Sequence, residues 1–106
     1  MPANWLPDFE GRAVRFSHER REHILQHPEM SGLEGSIAET LSSPEKVVES
    51  RSDQEARLYY RYYYGTPVGD KFLCVVVKLM HADAFVMTAY LTDRVKKGTQ
   101  VWPSNT

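Results

Sequence analysis

The spacing of hydrophobic and polar positions changes near Pro44. Before that residue it favours helices, and after it the chain alternates in runs rich in valine and tyrosine. Ser17 is a plausible N-cap and Pro28 stops a helix, so the sequence predicts a first helix over about residues 17–26. A second helix is predicted from a capping-box pair, Ser31 and Glu34, over Leu33, Ile37, Ala38 and Leu41, ending at Ser42-Ser43-Pro44.

The second part of the chain predicts four strands, at residues 46–51, 56–64, 71–80 and 84–92. Strong turn signals separate the last three, and Lys71–Met80 has the pattern of a central strand. We therefore predict an α+β fold in which two N-terminal helices pack on a four-stranded antiparallel meander. Residues 1–15 form an extended lead-in, in which Gly11–Phe16 could be a short strand. Residues 93–106 form a tail that is loop except for a short piece around Val101 and Trp102.

Length, charge and cysteine content limit the class of protein. A chain of 106 residues suits one domain. The formal net charge of −1 argues against a protein that coats nucleic acid by bulk electrostatics. The charge is unevenly spread, however, since residues 29–55 hold seven acids against two bases and bases dominate later. Cys74 lies in an apolar run, which predicts a buried thiol in a reducing compartment and allows no disulfide within the chain. Neither a secretion signal nor a membrane span is apparent, so we expect a cytoplasmic protein.

Two residue pairs are candidates for chemistry. Arg20 and His23 are three positions apart on a predicted helix, and Thr88 and Tyr90 are two apart on a predicted strand, so each pair shares a face. Together they could assemble a cation, an imidazole, a hydroxyl and a phenol in one cleft, a combination suited to phosphate chemistry. Lys78 is a cation in the middle of a predicted strand.

Three further residues could extend that site. Arg57 and Arg61 share one face of the tyrosine-rich strand. If that face is also the face of Lys78, the sheet offers a cationic floor, which the first helix would border with His27 beside His23.

Several segments carry a resemblance to known proteins: Arg20-Arg-Glu-His23-Ile-Leu-Gln-His27-Pro28-Glu29, Glu39-Thr-Leu-Ser-Ser-Pro44, Leu58-Tyr-Tyr-Arg61 and Val86-Met-Thr88-Ala-Tyr90. Over residues 16–102 the chain resembles the phage-associated nuclease-fold families grouped with barnase, EndoU, colicin D and RelE. The resemblance implies two helices on a four-stranded antiparallel sheet and metal-independent RNA cleavage. In the colicin D branch it implies a site at Arg20, His23, Thr88 and Tyr90, although arginine here replaces an expected lysine and threonine an expected serine.

The corresponding hypothesis is a toxin-like or mobile-element endoribonuclease that needs no cofactor or metal. His23 would be the acid or base for attack by the ribose 2′-OH, and Arg20 would stabilise charge on the phosphate. Lys78 and Arg61 would add charge stabilisation, and Thr88 would donate to a phosphate oxygen. The substrate-binding residues would be Tyr90, which stacks on a base, with Arg57, Arg61 and His27. RNA is the predicted substrate, and an antitoxin or immunity protein is a predicted partner.

Other interpretations stay open from sequence alone. A binding module could keep an RNA-facing or protein-facing surface without catalysis. His23 and His27 have the spacing of zinc ligands, but Ile24 replaces the glutamate of the common motif and no third ligand is marked. The tyrosine cluster also fits ordinary sheet packing.

Overall fold

The computed structural model describes residues 4–104, so parts of the predicted lead-in (residues 1–3) and tail (residues 105 and 106) lie outside the described residues. The described chain forms two α-helices, one short 3₁₀ helix and a seven-stranded sheet. In chain order the elements are β1 (Asn4–Pro7), β2 (Ala13–Phe16), α1 (His18–Leu25), the 3₁₀ helix (Pro28–Met30), α2 (Glu34–Ser42), β3 (Lys46–Glu49), β4 (Ala56–Thr66), β5 (Gly69–Met80), β6 (Asp83–Thr92) and β7 (Thr99–Trp102).

The prediction of a four-stranded antiparallel sheet is wrong. The strand order is β1-β2-β6-β5-β4-β3-β7, and the sheet is mixed because β2 runs parallel to β6. Strands β3 to β6 lie at the four predicted segments, but a meander of four strands would leave the outer edges of β3 and β6 unpaired. β7 pairs with β3, and β2 pairs with β6 and in turn with β1. An unpaired strand edge leaves backbone donors and acceptors without partners. β2 and β7 supply these partners along the edges of β6 and β3.

The predicted start of α1 is confirmed and that of α2 is not. The Ser17 hydroxyl accepts a hydrogen bond from the Arg20 amide at 3.2 Å, as an N-cap does. In α2 the N-cap position is Leu33, whose side chain makes no capping bond. Ser31 instead directly follows the end of the 3₁₀ helix, as its C-cap, and Gly32 comes next with φ +78.

The helices cover only one face of the sheet, which we call the helix face. Ile24 of α1 and Ile37 of α2 belong to one buried cluster there with Val75 of β5. The opposite side is the open face, where a smaller cluster buries Val48, Leu58, Tyr60 and Cys74. Because successive strand residues alternate between faces, these two clusters assign their neighbours on β4, β5 and β6 to one side, except at the irregularity opposite Val76 and Val77, where the strand register skips Met87.

The segment between β6 and β7, residues 93–98, crosses the open face, and we call it the crossing loop. It begins after Thr92, which pairs with Phe72, and it ends before Thr99, which pairs with Glu49 near the other end of the strands. Val95 packs on the open-face cluster, and the Lys96 amide donates to the Tyr60 hydroxyl at 3.1 Å. The short piece predicted around Val101 and Trp102 is β7, and the crossing loop connects it to β6 across the open face.

None of the helices within residues 4–104 has both the length and the apolar character that a membrane span requires.

Candidate functional site

The structure separates the predicted catalytic residues into two groups. Helix α1 packs on the helix face, where its Ile24 shares the core with Ala89 of β6. Ala89 lies between Thr88 and Tyr90, so these two neighbours point to the open face. Helix α1, which carries His23, therefore lies on one side of the sheet, and the Thr88–Tyr90 pair lies on the other. The predicted common cleft is not formed.

Arg20, His23 and His27 are exposed on the surface of α1 and just after it. The two imidazole rings meet edge to face with centroids 6.0 Å apart, and His27 Nδ1 lies 3.7 Å from a Glu29 carboxylate oxygen. No cluster of three or more histidine, cysteine, aspartate or glutamate side chains that could hold a metal ion occurs in the part of the chain that the structure describes.

Arg57 and Arg61 do not form the predicted cationic floor. They share the parity of Tyr59, which is buried on the helix face, so they point away from Lys78. Arg61 Nη1 donates to the Ser43 carbonyl at 2.7 Å, which ties β4 to the end of α2. Arg57 Nη1 lies 3.4 Å from a carboxylate oxygen of Glu10. Both arginines thus contact residues outside β4 on the helix face.

Lys78, by contrast, shares the open face with Thr88 and Tyr90. Its ammonium donates to Asp53 at 2.6 Å and lies 3.5 Å from a Glu55 oxygen. The hydrogen bond with Asp53 raises the pKa of Lys78, and the same bond lowers the pKa of Asp53. Lys78 is thus already neutralised by carboxylates and offers little charge to a ligand.

A groove of about 320 Å³ lies on the open face beside the crossing loop, and we call it the open-face groove. Its lining combines hydroxyls, one carboxylate, apolar side chains and one unneutralised cation: Ser50, Ser52, Asp53, Ala56, Leu58, Val76, Met87, Thr88, Tyr90 and Lys96. The Lys96 ammonium stands 5.8 Å from the centre of the Tyr90 ring, within the range of a cation–π contact. The sequence did mark Lys96, in a run of bases after Asp93, but only as part of a tail.

The Tyr90 hydroxyl faces the sheet while its ring borders the groove. It is the one buried side-chain polar atom of residues 4–104 that lacks a hydrogen bond of ordinary geometry. Burial raises the pKa of Tyr90, and interactions with the Cys74 thiol and the Tyr60 hydroxyl raise it further. Burial also raises the pKa of the Cys74 thiol to about 11. Both groups are therefore protonated at neutral pH, and neither supplies an anion that would repel a phosphate.

Comparison with known proteins adds no relative. No protein family, curated protein sequence or solved structure matches the chain. The resemblance to nuclease-fold families thus stays a prediction. The groove itself combines an exposed ammonium, hydroxyl donors and an aromatic ring, which are the groups that bind the phosphates and bases of nucleic acids.

Proposed function

We propose that this protein binds RNA on the open face of its sheet, with the open-face groove as the phosphate site. The observation that carries the proposal is the meeting of Lys96, Thr88 and Tyr90 around one groove that no helix covers. Lys96 supplies the positive charge, the Thr88 hydroxyl a donor to phosphate oxygen, and the Tyr90 ring an apolar wall.

The charges of the crossing loop support this proposal. Arg94, Lys96 and Lys97 are all exposed, and across residues 4–104 none of them takes part in an ion pair. Two lysines on the sheet are neutralised, Lys71 by Asp93 and Lys78 by Asp53. The crossing loop thus holds three neighbouring cations without an ion pair among the described residues, in a protein whose net charge is −1, which favours a local anionic ligand.

The groove supports binding better than cleavage. Among the residues that line it there is no histidine. Its carboxylate, Asp53, has a lowered pKa because it is bonded to Lys78, and the pKa of its phenol, Tyr90, is raised by burial. Neither group is poised to exchange a proton near neutral pH. We therefore favour an RNA-binding module, and the endoribonuclease, the toxin-like activity and the antitoxin or immunity partner rest on the resemblance alone. A free, buried Cys74 agrees with the reducing cytoplasm as the proposed location.

Anisotropy titrations of a labelled single-stranded RNA against wild type and Lys96→Gln test the proposal. We expect Lys96→Gln to weaken binding and to reduce the slope of log affinity against log salt by about 0.7, the value for one phosphate contact on a single strand. Arg20→Gln is the matched control, because it removes one exposed cation from the opposite side of the sheet. Equal losses in the two variants, or no binding by wild type, would contradict the proposal.

A second experiment tests whether the protein cleaves RNA. Wild type and His23→Ala are incubated with total RNA in EDTA. Intact RNA with retained binding is the result expected of a binding module. Discrete cleavage by wild type that is lost in His23→Ala would instead support the ribonuclease hypothesis and refute the binding-only interpretation.

A further inference from the structure

Three aromatic side chains form a second feature of the open face, and we call them the hairpin cluster: Tyr62, Tyr64 and Phe72. Tyr62 and Phe72 are cross-strand partners whose ring centroids are 4.9 Å apart with an interplanar angle of 76°. Tyr64 follows on the same strand, with its ring centroid 5.2 Å from that of Tyr62 at 79°. The cluster lies where β4 and β5 approach their connecting turn.

The hairpin cluster is more exposed than sheet packing requires. Tyr64 has 81% of its surface exposed, and Tyr62 and Phe72 are only partly buried. Among residues 4–104, the one aromatic ring in contact with Tyr64 is that of Tyr62. Exposed aromatic surface on a folded protein is a common sign of a binding site. Because the contacts between the three rings are edge to face, the ring that contributes its edge to a pair uses neither of its flat faces in that contact.

The position of the cluster relative to the open-face groove is set by the strand register. Phe72 belongs to the cluster and Val76 lines the groove, four residues farther along β5. At about 3.3 Å per residue the two sites are roughly 13 Å apart. Phe72 also pairs with Thr92, directly before the crossing loop. The crossing loop therefore starts beside the cluster, with Arg94 bonded through its backbone to Thr92, and it reaches the groove at Lys96.

We infer that the hairpin cluster is a base-stacking subsite and that the RNA bound here is single-stranded. This inference rests on the proposed function, because it takes the groove and crossing loop as the phosphate contacts. A strand that passes over the loop places its phosphates near Arg94 and Lys96 and a base against Tyr64. Stacking of this kind needs an unpaired base with a free face, which a duplex does not provide.

The test compares single-stranded RNA, the matching duplex and inorganic polyphosphate, which carries phosphates without bases. Tyr64→Ala should weaken single-stranded RNA binding about tenfold, within the range for loss of one stacked base, and leave polyphosphate binding unchanged. Tyr64→Phe is the control and should bind RNA as wild type does. Lys96→Gln should weaken both ligands, and the duplex should bind more weakly than the single strand to wild type.

Different failures are distinguishable. If Lys96→Gln weakens RNA binding but Tyr64→Ala does not, the base-stacking subsite is refuted and the phosphate site stands. If wild type binds no RNA, both proposals fail. A dimer in sedimentation velocity that forms without RNA and dissociates in Tyr64→Ala would assign the cluster to a second copy of this chain and overturn the inference.

Discussion

Removal of the Tyr59 hydroxyl should destabilise the fold by more than an ordinary hydrogen bond. Tyr59 is fully buried in β4, and its hydroxyl donates to the Asp8 carboxylate at 2.8 Å. Asp8 is the only buried carboxylate of the described chain, with 4% of its surface exposed. It also accepts from the Glu10 and Arg12 amides at 2.9 and 2.8 Å and from the Arg12 guanidinium at 2.7 Å. One carboxylate thus fastens the turn between β1 and β2 to the centre of the sheet.

The magnitude follows from the charge of the acceptor. A hydrogen bond to a charged group contributes about 1.5–3 kcal/mol, against about 1 kcal/mol for a neutral pair. Tyr59→Phe removes one of four bonds to Asp8 and leaves the other three, so we expect a loss of about 2 kcal/mol. Asp8→Ala should cost more, about 3–5 kcal/mol, because it strands the Tyr59 hydroxyl in the core and breaks the pair with Arg12.

Urea denaturation of the two single variants and the double variant measures the coupling. In the Asp8→Ala background the Tyr59 hydroxyl has lost its acceptor, so Tyr59→Phe should cost nothing further there or should restore stability. The coupling energy is then about 2 kcal/mol or more. Tyr64→Phe, at an exposed position of the same strand, is the control and should change stability by less than about 0.5 kcal/mol. If the losses of stability in Tyr59→Phe and Asp8→Ala simply add in the double variant, the bond between the two side chains does not stabilise the fold.

Three further predictions concern other parts of the molecule. Gly98→Ala should destabilise the fold by about 1–3 kcal/mol and weaken RNA binding, because a Cβ there would collide with the Glu49 carbonyl at the base of the crossing loop. Gly35→Ala, whose Cβ would meet open space in α2, should instead stabilise the fold by about 0.5–1 kcal/mol, and thermal melts compare the two variants. Cys74 should react with iodoacetamide near pH 8 only when the protein unfolds, since its pKa of about 11 keeps the buried thiol protonated; rapid alkylation of folded protein would contradict this. Because the pKa of Asp53 is lowered, its contribution to the free energy of unfolding is present above the ordinary pKa of 3.8 and is lost as the pH falls through the lowered pKa. Denaturation at several acidic pH values should therefore show a shallower fall in stability with pH for Asp53→Asn than for wild type.

The longer elements could be predicted because their signals are local. The alternation of β5 places Leu73, Val75 and Val77 on one apolar face, and the Ser17 hydroxyl caps α1 within three residues. The strands β1, β2 and β7 have four residues each, as β3 has, and of these three the sequence indicates only a possible strand over Gly11–Phe16 and a short piece around Val101 and Trp102. Their formation depends on the unpaired edges of β6 and β3, which are distant in sequence.

The site was predicted less well, since sequence periodicity tells which side chains share a face but not which layer covers that face. Arg57 and Arg61 flank Tyr59, and all three lie on the side where Tyr59 joins the core and bonds to Asp8, 51 positions away in sequence. The same limit applies to His23, whose helix packs on the side away from Thr88. Lys96 was overlooked as a ligand contact because the path of the crossing loop over Tyr60 is a tertiary feature.

The central claim is that RNA contacts the open face and not the helix face. Backbone amide chemical-shift mapping of the labelled protein, titrated with a single-stranded RNA, tests it most directly. We expect concentrated shifts at Thr88, Tyr90, Lys96 and Tyr64, with His23 and its neighbours on α1 unchanged. Shifts centred on Arg20 and His23, or no shifts at saturating RNA, would contradict it.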